Sequence, residues 1–228
     1  MKKHIPNTIT CCNLVSGCLA TCWALGSHYD LALLFIVVGA VFDFFDGMTA
    51  RLLHVSSPIG KELDSLADDI TFGFAPSAMV FDYLHTLNGT QSTYWLSYLA
   101  FVMAAFSALR LAKFNLDERQ ALGFIGLPTP ANALFWGALI VGAGRTIATW
   151  PCASWLILLG VGVSCYLLVS EIPMFALKFK TWGWKGNEVK YVFLLTCIPL
   201  LLLLGISGLA VVIAWYVLLS VFYKDKKY

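Results

Sequence analysis

Charge is what this sequence has least of. Only 12% of its 228 residues are Asp, Glu, Lys or Arg while 59% are hydrophobic, which excludes a soluble globular domain, where about a quarter of residues are charged. Metal-binding cysteine patterns are missing too: the seven cysteines lie mostly in apolar runs, show no CxxC spacing and read as buried thiols rather than a zinc or redox site. No repeat, low-complexity tail or soluble segment interrupts residues 1–228, which form a single integral membrane domain. The net charge of +2 says little about partners, and no nucleic-acid partner is expected of a membrane domain.

What is present in abundance is apolar sequence long enough to cross a bilayer, for which a helix needs roughly 20 residues. Eight spans are expected, at 5–27, 31–53, 63–85, 93–113, 129–148, 152–174, 189–205 and 207–223. The start resembles a signal peptide, but its apolar run is long and no small-residue cleavage site follows, so it is read as the first helix. With eight spans, fourteen of the fifteen basic residues fall on one side and only Arg145 on the other. Short cytoplasmic loops carry such an excess, which places both termini and the acidic stretch described next on the cytoplasmic side. The expected fold is therefore an all-α, polytopic membrane helix bundle. Trp95, Trp150, Trp155 and Tyr223 suit interfacial belts, Asp82, His85 and Arg145 read as solvated ends at the far interface, and Pro76 and Pro199 should kink spans three and seven.

Against this background DFFDGMTARLLHVSSPIGKELDSLADD, residues 43–69, concentrates five aspartates. Ionisable groups at membrane depth are costly and mark function by default. On a helix, Asp43, Asp46, Gly47 and Ala50 share a face with Gly39, and after a turn ending at Pro58 a second face carries Gly60, Asp64, Ala67, Asp68, Thr71 and Ala75. Each face offers two carboxylates about one turn apart, flanked by small residues that let a ligand come close. Four converging carboxylates need a cation among them. Oxygen donors without His or Cys select Mg²⁺, Mn²⁺ or Ca²⁺. Arg51, at the cytoplasmic end, has a fork suited to phosphate oxygens, although a positive-inside anchor also explains it. Ser56 and Ser57 either donate to the same ligand or cap the next helix.

Asp43-x2-Asp46-Gly47-x2-Ala50-Arg51-x8-Gly60-x3-Asp64-x3-Asp68 resembles the signature of the CDP-alcohol phosphotransferases at every defined position. The resemblance implies a six-helix catalytic core, inside a bundle of about eight spans, that transfers a phosphatidyl-type group from a CDP-linked lipid to an alcohol and releases CMP. It implies that Asp43, Asp46, Asp64 and Asp68 hold divalent metal, two ions of Mg²⁺ or Mn²⁺, with Asp68 also the general base. Gly47, Arg51 and Ser57 would contact CDP, Ala50 and Gly60 would leave space for it, and Asn7 and Thr8 would touch the nucleotide. Asp69 lies outside the pattern and is read as supporting. The family usually forms homodimers.

The segments ALRLAKFN (108–115), GFIGLPTPANA (123–133) and SEIPMFALKFK (170–180) resemble the phosphatidylserine synthase branch. That branch implies CDP-diacylglycerol as donor, L-serine as acceptor and a prokaryotic cytoplasmic membrane as location. Glycerol 3-phosphate or inositol as acceptor and an ether-lipid donor are the alternatives within the family, and a cation transporter is the alternative outside it. Serine needs a cation for its carboxylate and an acceptor for its ammonium. Arg110 and Lys113, three apart on one helix face, suit the first and Glu171 the second, although Lys113 and Glu171 are equally well read as structural. Gly126, Pro128 and Pro130 should shape the turn into span five.

Overall fold

The computed structural model describes residues 4–55, 57–89, 93–117, 124–175, 183 and 187–222. Ser56, Tyr223 and the basic residues Lys2, Lys3, Arg119, Lys178, Lys180, Lys185, Lys224, Lys226 and Lys227 lie outside these. Among the described residues the chain forms eight helical rods, as the apolar runs predict. Helix α1 is His4–Leu25 and α2 is Tyr29–Leu52. The third rod is continuous: α3 (Pro58–Asp68), a π-helical turn (Asp69–Phe74) and α4 (Ala75–Asn88). The fourth begins as a 3₁₀ helix at Tyr94–Phe101 and continues as α5 (Val102–Leu116). Then follow α6 (Thr129–Ile147), α7 (Ala153–Val169), α8 (Glu188–Leu204) and α9 (Ile206–Phe222).

Residues 4–25, 29–52 and 94–116 are each long and apolar enough to cross a bilayer, and the protein is an integral membrane protein. Trp95, Trp150 and Trp155 are all exposed. Helix α8 buries only Phe193 along its length, so its leucines face outward, where hydrocarbon replaces water as their solvent.

Two departures from the sequence reading matter for the site. Span six ends at Val169 rather than 174, and Pro173–Met174 (β2) pairs antiparallel with Phe124–Ile125 (β1), so two very short strands join an otherwise helical fold. The third rod is not uniformly α-helical. Pro76 has no N–H to donate to the preceding turn, and the widened turn at 69–74 sits directly before it, as π turns often do beside functional residues. Asp82, expected to be solvated, instead accepts hydrogen bonds from Ser27 Oγ (2.7 Å) and the Tyr29 hydroxyl (2.8 Å), which ties the α1–α2 turn to α4.

The core is built from small residues where helices cross and large ones between them. Ala20, Ala24, Ala32, Ala75 and Ala78 are fully buried beside Ile36, Phe72, Met79 and Met103, and such small residues let membrane helices approach closely. The closest approach surrounds Thr71 of the π turn. A Cβ at Gly39 would lie 2.5 Å from Thr71 Cγ2, and one at Gly17 would overlap the Thr71 hydroxyl. Glycine at both positions lets α1 and α2 close on the third rod, which brings the acidic faces together.

Candidate active site

One turn of α3 separates Asp64 from Asp68, and α2 places Asp43 opposite them. One oxygen from each of the three carboxylates lies within 4.8 Å of the others. This is a compact set of hard oxygen donors. Ligands about 2.1 Å from an octahedral Mg²⁺ stand roughly 3.0 Å apart when adjacent and 4.2 Å when opposite, so a small closing movement would seat such an ion. Asp46, three residues from Asp43 and so about 60° further round the helix, stands outside this trio. It is only 5% exposed, and its Oδ2 is buried without a hydrogen-bond partner. A buried carboxylate oxygen left this way is costly unless something binds it, which suits a cation at this end of the cluster.

Helix α1 supplies a residue that the motif does not contain. Asn13, fully buried, donates from Nδ2 to Asp68 Oδ1 at 3.1 Å, and its backbone carbonyl accepts from Thr71 Oγ1 at 3.0 Å. The amide therefore locks the orientation of Asp68 from behind. Asp69 turns away towards α5: its Oδ1 lies where a Cβ on Gly73 would be 2.6 Å distant, and Ser107 flanks the same glycine.

A cavity of about 360 Å³ opens from the acids between the N-terminal ends of α1 and α3 and the C-terminal end of α2. Asp46 and Asp64 line its inner wall, Gly47, Ala50 and Gly60 form its smooth sides, and Asn7 and Ser57 contribute polar edges. Gly60 is needed for this shape, since a Cβ there would lie 3.1 Å from Asn7 Oδ1 and 3.0 Å from Ser57 Oγ. Ser57 is the N-cap of α3, its Oγ accepting from Gly60 N at 3.0 Å, so the capping alternative holds. Two expected nucleotide contacts do not line this cavity. Arg51 is exposed and folds back to donate from Nε to Gly47 O at 2.9 Å, and the exposed Thr8 hydroxyl bonds His4 O at 2.9 Å. Thr10 and Lys61, which sequence reasoning passed over, do line it. The spacing of Asn7, Thr10 and Asn13 along one face of an apolar helix was the available signal.

A second cavity, about 400 Å³, is lined by Arg110, Lys113, Ser170 and Glu171. Arg110 is 6% exposed, its Nε has no hydrogen-bond partner, and its guanidinium lies 5.9 Å from the Phe114 ring. Its charge interacts with that of Asp68, and α5, which carries it, packs against the π-helical turn that follows Asp68. The GLP turn leads into α6, as expected, and also latches onto the end of α7. Gly126, at φ +73°, donates to Ile172 O at 2.9 Å, and Leu127 N donates to Leu167 O at 2.9 Å. This latch fixes Ser170 and Glu171 beside Arg110.

Residues 3–166 match the family model described as CDP-alcohol phosphatidyltransferase. Among similar proteins, a CDP-diacylglycerol–serine O-phosphatidyltransferase of Bacillus subtilis (strain 168) is 38% identical over 171 residues, 75% of this chain and 89% of that protein. Enzymes of the same name from Mycobacterium leprae (strain TN) and Saccharomyces cerevisiae (strain ATCC 204508 / S288c) are 31% and 37% identical, over 75% and 61% of this chain. This chain spans 57% and 52% of the length of those two.

Proposed function

The chain belongs to the CDP-alcohol phosphatidyltransferase family, and we propose that it transfers the phosphatidyl group of CDP-diacylglycerol to the hydroxyl of L-serine, giving phosphatidylserine and CMP. The observation that carries this reading is the acid cluster beside a small-walled cavity lined by Asp46 and Asp64, with a second cavity lined by charges of both signs, Arg110 and Lys113 with Asp117 and Glu171, as a zwitterionic acceptor needs. A donor headgroup in the first and an amino acid in the second would meet at Asp68.

In this reading the nucleotide enters the first cavity along Gly47, Ala50 and Gly60, with Asn7 and Ser57 as polar contacts and Arg51 swinging from Gly47 O to the phosphates. Asp43, Asp46, Asp64 and Asp68 would hold two Mg²⁺ or Mn²⁺ ions, whose chemistry is to neutralise the diphosphate and polarise its phosphorus–oxygen bonds. Arg110 and Lys113 take the serine carboxylate, and Glu171 takes its ammonium. The serine oxygen then attacks the phosphorus that bears the diacylglycerol, its proton passes to Asp68, and the bond from that phosphorus to the CMP oxygen breaks. Most of the acceleration comes from charge and alignment. The likeness to enzymes named for serine supports the acceptor. A single catalytic unit, homodimeric, in a prokaryotic cytoplasmic membrane with its termini and site on the cytoplasmic side, is the arrangement that the family and the basic residues support.

The test is CMP release by the purified protein from CDP-diacylglycerol in detergent. Release should require both serine and a divalent cation and should be lost in Asp68→Asn. Turnover with inositol or glycerol 3-phosphate but not with serine would refute the acceptor assignment.

A further inference from the structure

We propose that Lys61 meets the diphosphate of the donor as a second protein cation, already at the cavity wall before Arg51 swings in, a role that rests on reading the first cavity as the nucleotide site. A diphosphate diester brings negative charge next to four carboxylates, so cationic partners on the protein side are required as well as metal. Of the described residues lining that cavity, Lys61 is the only one with a basic side chain. Arg51 is engaged with its own helix at Gly47 O and does not line the wall.

Lys61 is also held in place. Its Nζ donates to Asn115 O at 2.9 Å, in the last turn of α5, where helical carbonyls lack partners from within the helix. Asn115 in turn donates from Nδ2 to Ser65 Oγ at 2.7 Å, so two bonds strap α5 to the outer face of α3 and pin the lysine stem along the cavity mouth. An ammonium has three N–H donors. One is spent on Asn115 O, and the other two remain for phosphate oxygens one turn from Asp64. A pre-oriented cation loses less freedom on binding than a mobile one.

The strap raises a competing role, that Lys61 serves only to join α3 to α5, and the experiment separates the two. Full-length protein in detergent with Mg²⁺ is titrated with cytidine, CMP and CDP by calorimetry. Lys61→Gln keeps a donor for Asn115 O but removes the charge. It should weaken CDP binding about tenfold, equivalent to about 1.4 kcal/mol, while leaving cytidine binding unchanged. Lys61→Arg should restore CDP binding to within threefold. Asn115→Ala, which breaks the bond to Ser65 but leaves the ammonium, should keep the wild-type ratio of CDP to cytidine affinity. The proposal is overturned if Lys61→Gln binds CDP like the wild type, or if cytidine and CDP affinities fall together in Lys61→Gln and in Asn115→Ala alike, the mark of a strap. If the wild-type protein binds no CDP, the reading of the cavity falls and the proposal with it.

Discussion

Replacing Asn13 by aspartate changes one atom type and almost no volume, so it isolates the electrostatics behind Asp68. In the native protein Asn13 Nδ2 stands 3.1 Å from Asp68 Oδ1. Exchanging that donor for a carboxylate oxygen puts two negative charges at the same distance, a repulsion of about 5 kcal/mol at an effective dielectric constant of roughly 20. The pair must then separate or share one proton between them, and either outcome disturbs the charge and alignment of Asp68 beside Asp43 and Asp64. Replacing Asn13 by leucine is milder, since it leaves Asp68 merely unsupported. Losing an outer partner of a metal-site ligand typically lowers metal affinity or activity about 10–100-fold, and Asn13→Asp should exceed that. The assay is serine-dependent CMP release titrated with Mn²⁺, alongside thermal unfolding in detergent to show that both variants fold. An Asn13→Asp enzyme whose maximal rate and half-saturating Mn²⁺ stay within threefold of the wild type would refute the reasoning.

Three further outcomes are expected. Gly39→Ala drives a methyl to 2.5 Å from Thr71 Cγ2 and 2.9 Å from Asn13 Oδ1; overpacking of this kind costs about 1–3 kcal/mol, so unfolding temperature and activity should fall together. Arg110→Lys keeps the charge but loses the planar fork; KM for serine should rise about tenfold, on the scale of one lost charged contact, while CDP affinity is unchanged. Gly126→Ala forces a left-handed backbone on a residue whose Cβ would lie 2.9 Å from the Leu168 and Ser170 carbonyl oxygens; strain of this kind costs about 1–3 kcal/mol, and kinetics should show impaired use of serine but not of the lipid donor.

The helices were legible because a bilayer imposes a minimum apolar length, and the spans of α1, α2, α6, α8 and α9 match that rule within two residues. The end of α7 was not legible. The chain leaves the helix at Ser170 because Gly126 and Leu127, over forty residues earlier in sequence, offer hydrogen bonds to carbonyls around it, and no local pattern records a long-range latch. The convergence of Asp43, Asp64 and Asp68 followed from helical spacing, whereas the offset of Asp46 reflects the angle between positions three apart. Arg51 and Lys61 show a different limit. Both are basic residues within the motif's span, Arg51 at a defined position and Lys61 at a variable one, and which of them reaches the cavity depends on a side-chain choice, Gly47 O for one and Asn115 O for the other, that spacing does not encode. Asn13 belongs to a helix with no Asp, Glu, Lys or Arg among positions 4–25; its polar spacing with Asn7 and Thr10 marks the face, but its partner Asp68 follows from the close approach at Gly17 and Gly39.

Anomalous diffraction at the manganese edge, from crystals grown with Mn²⁺ and a CDP-linked lipid, tests the account most directly. It predicts a peak within coordination distance of oxygens from Asp43, Asp64 and Asp68, with the nucleotide in the cavity beside Gly47 and Gly60. An ordered nucleotide with no manganese among those three carboxylates would contradict it.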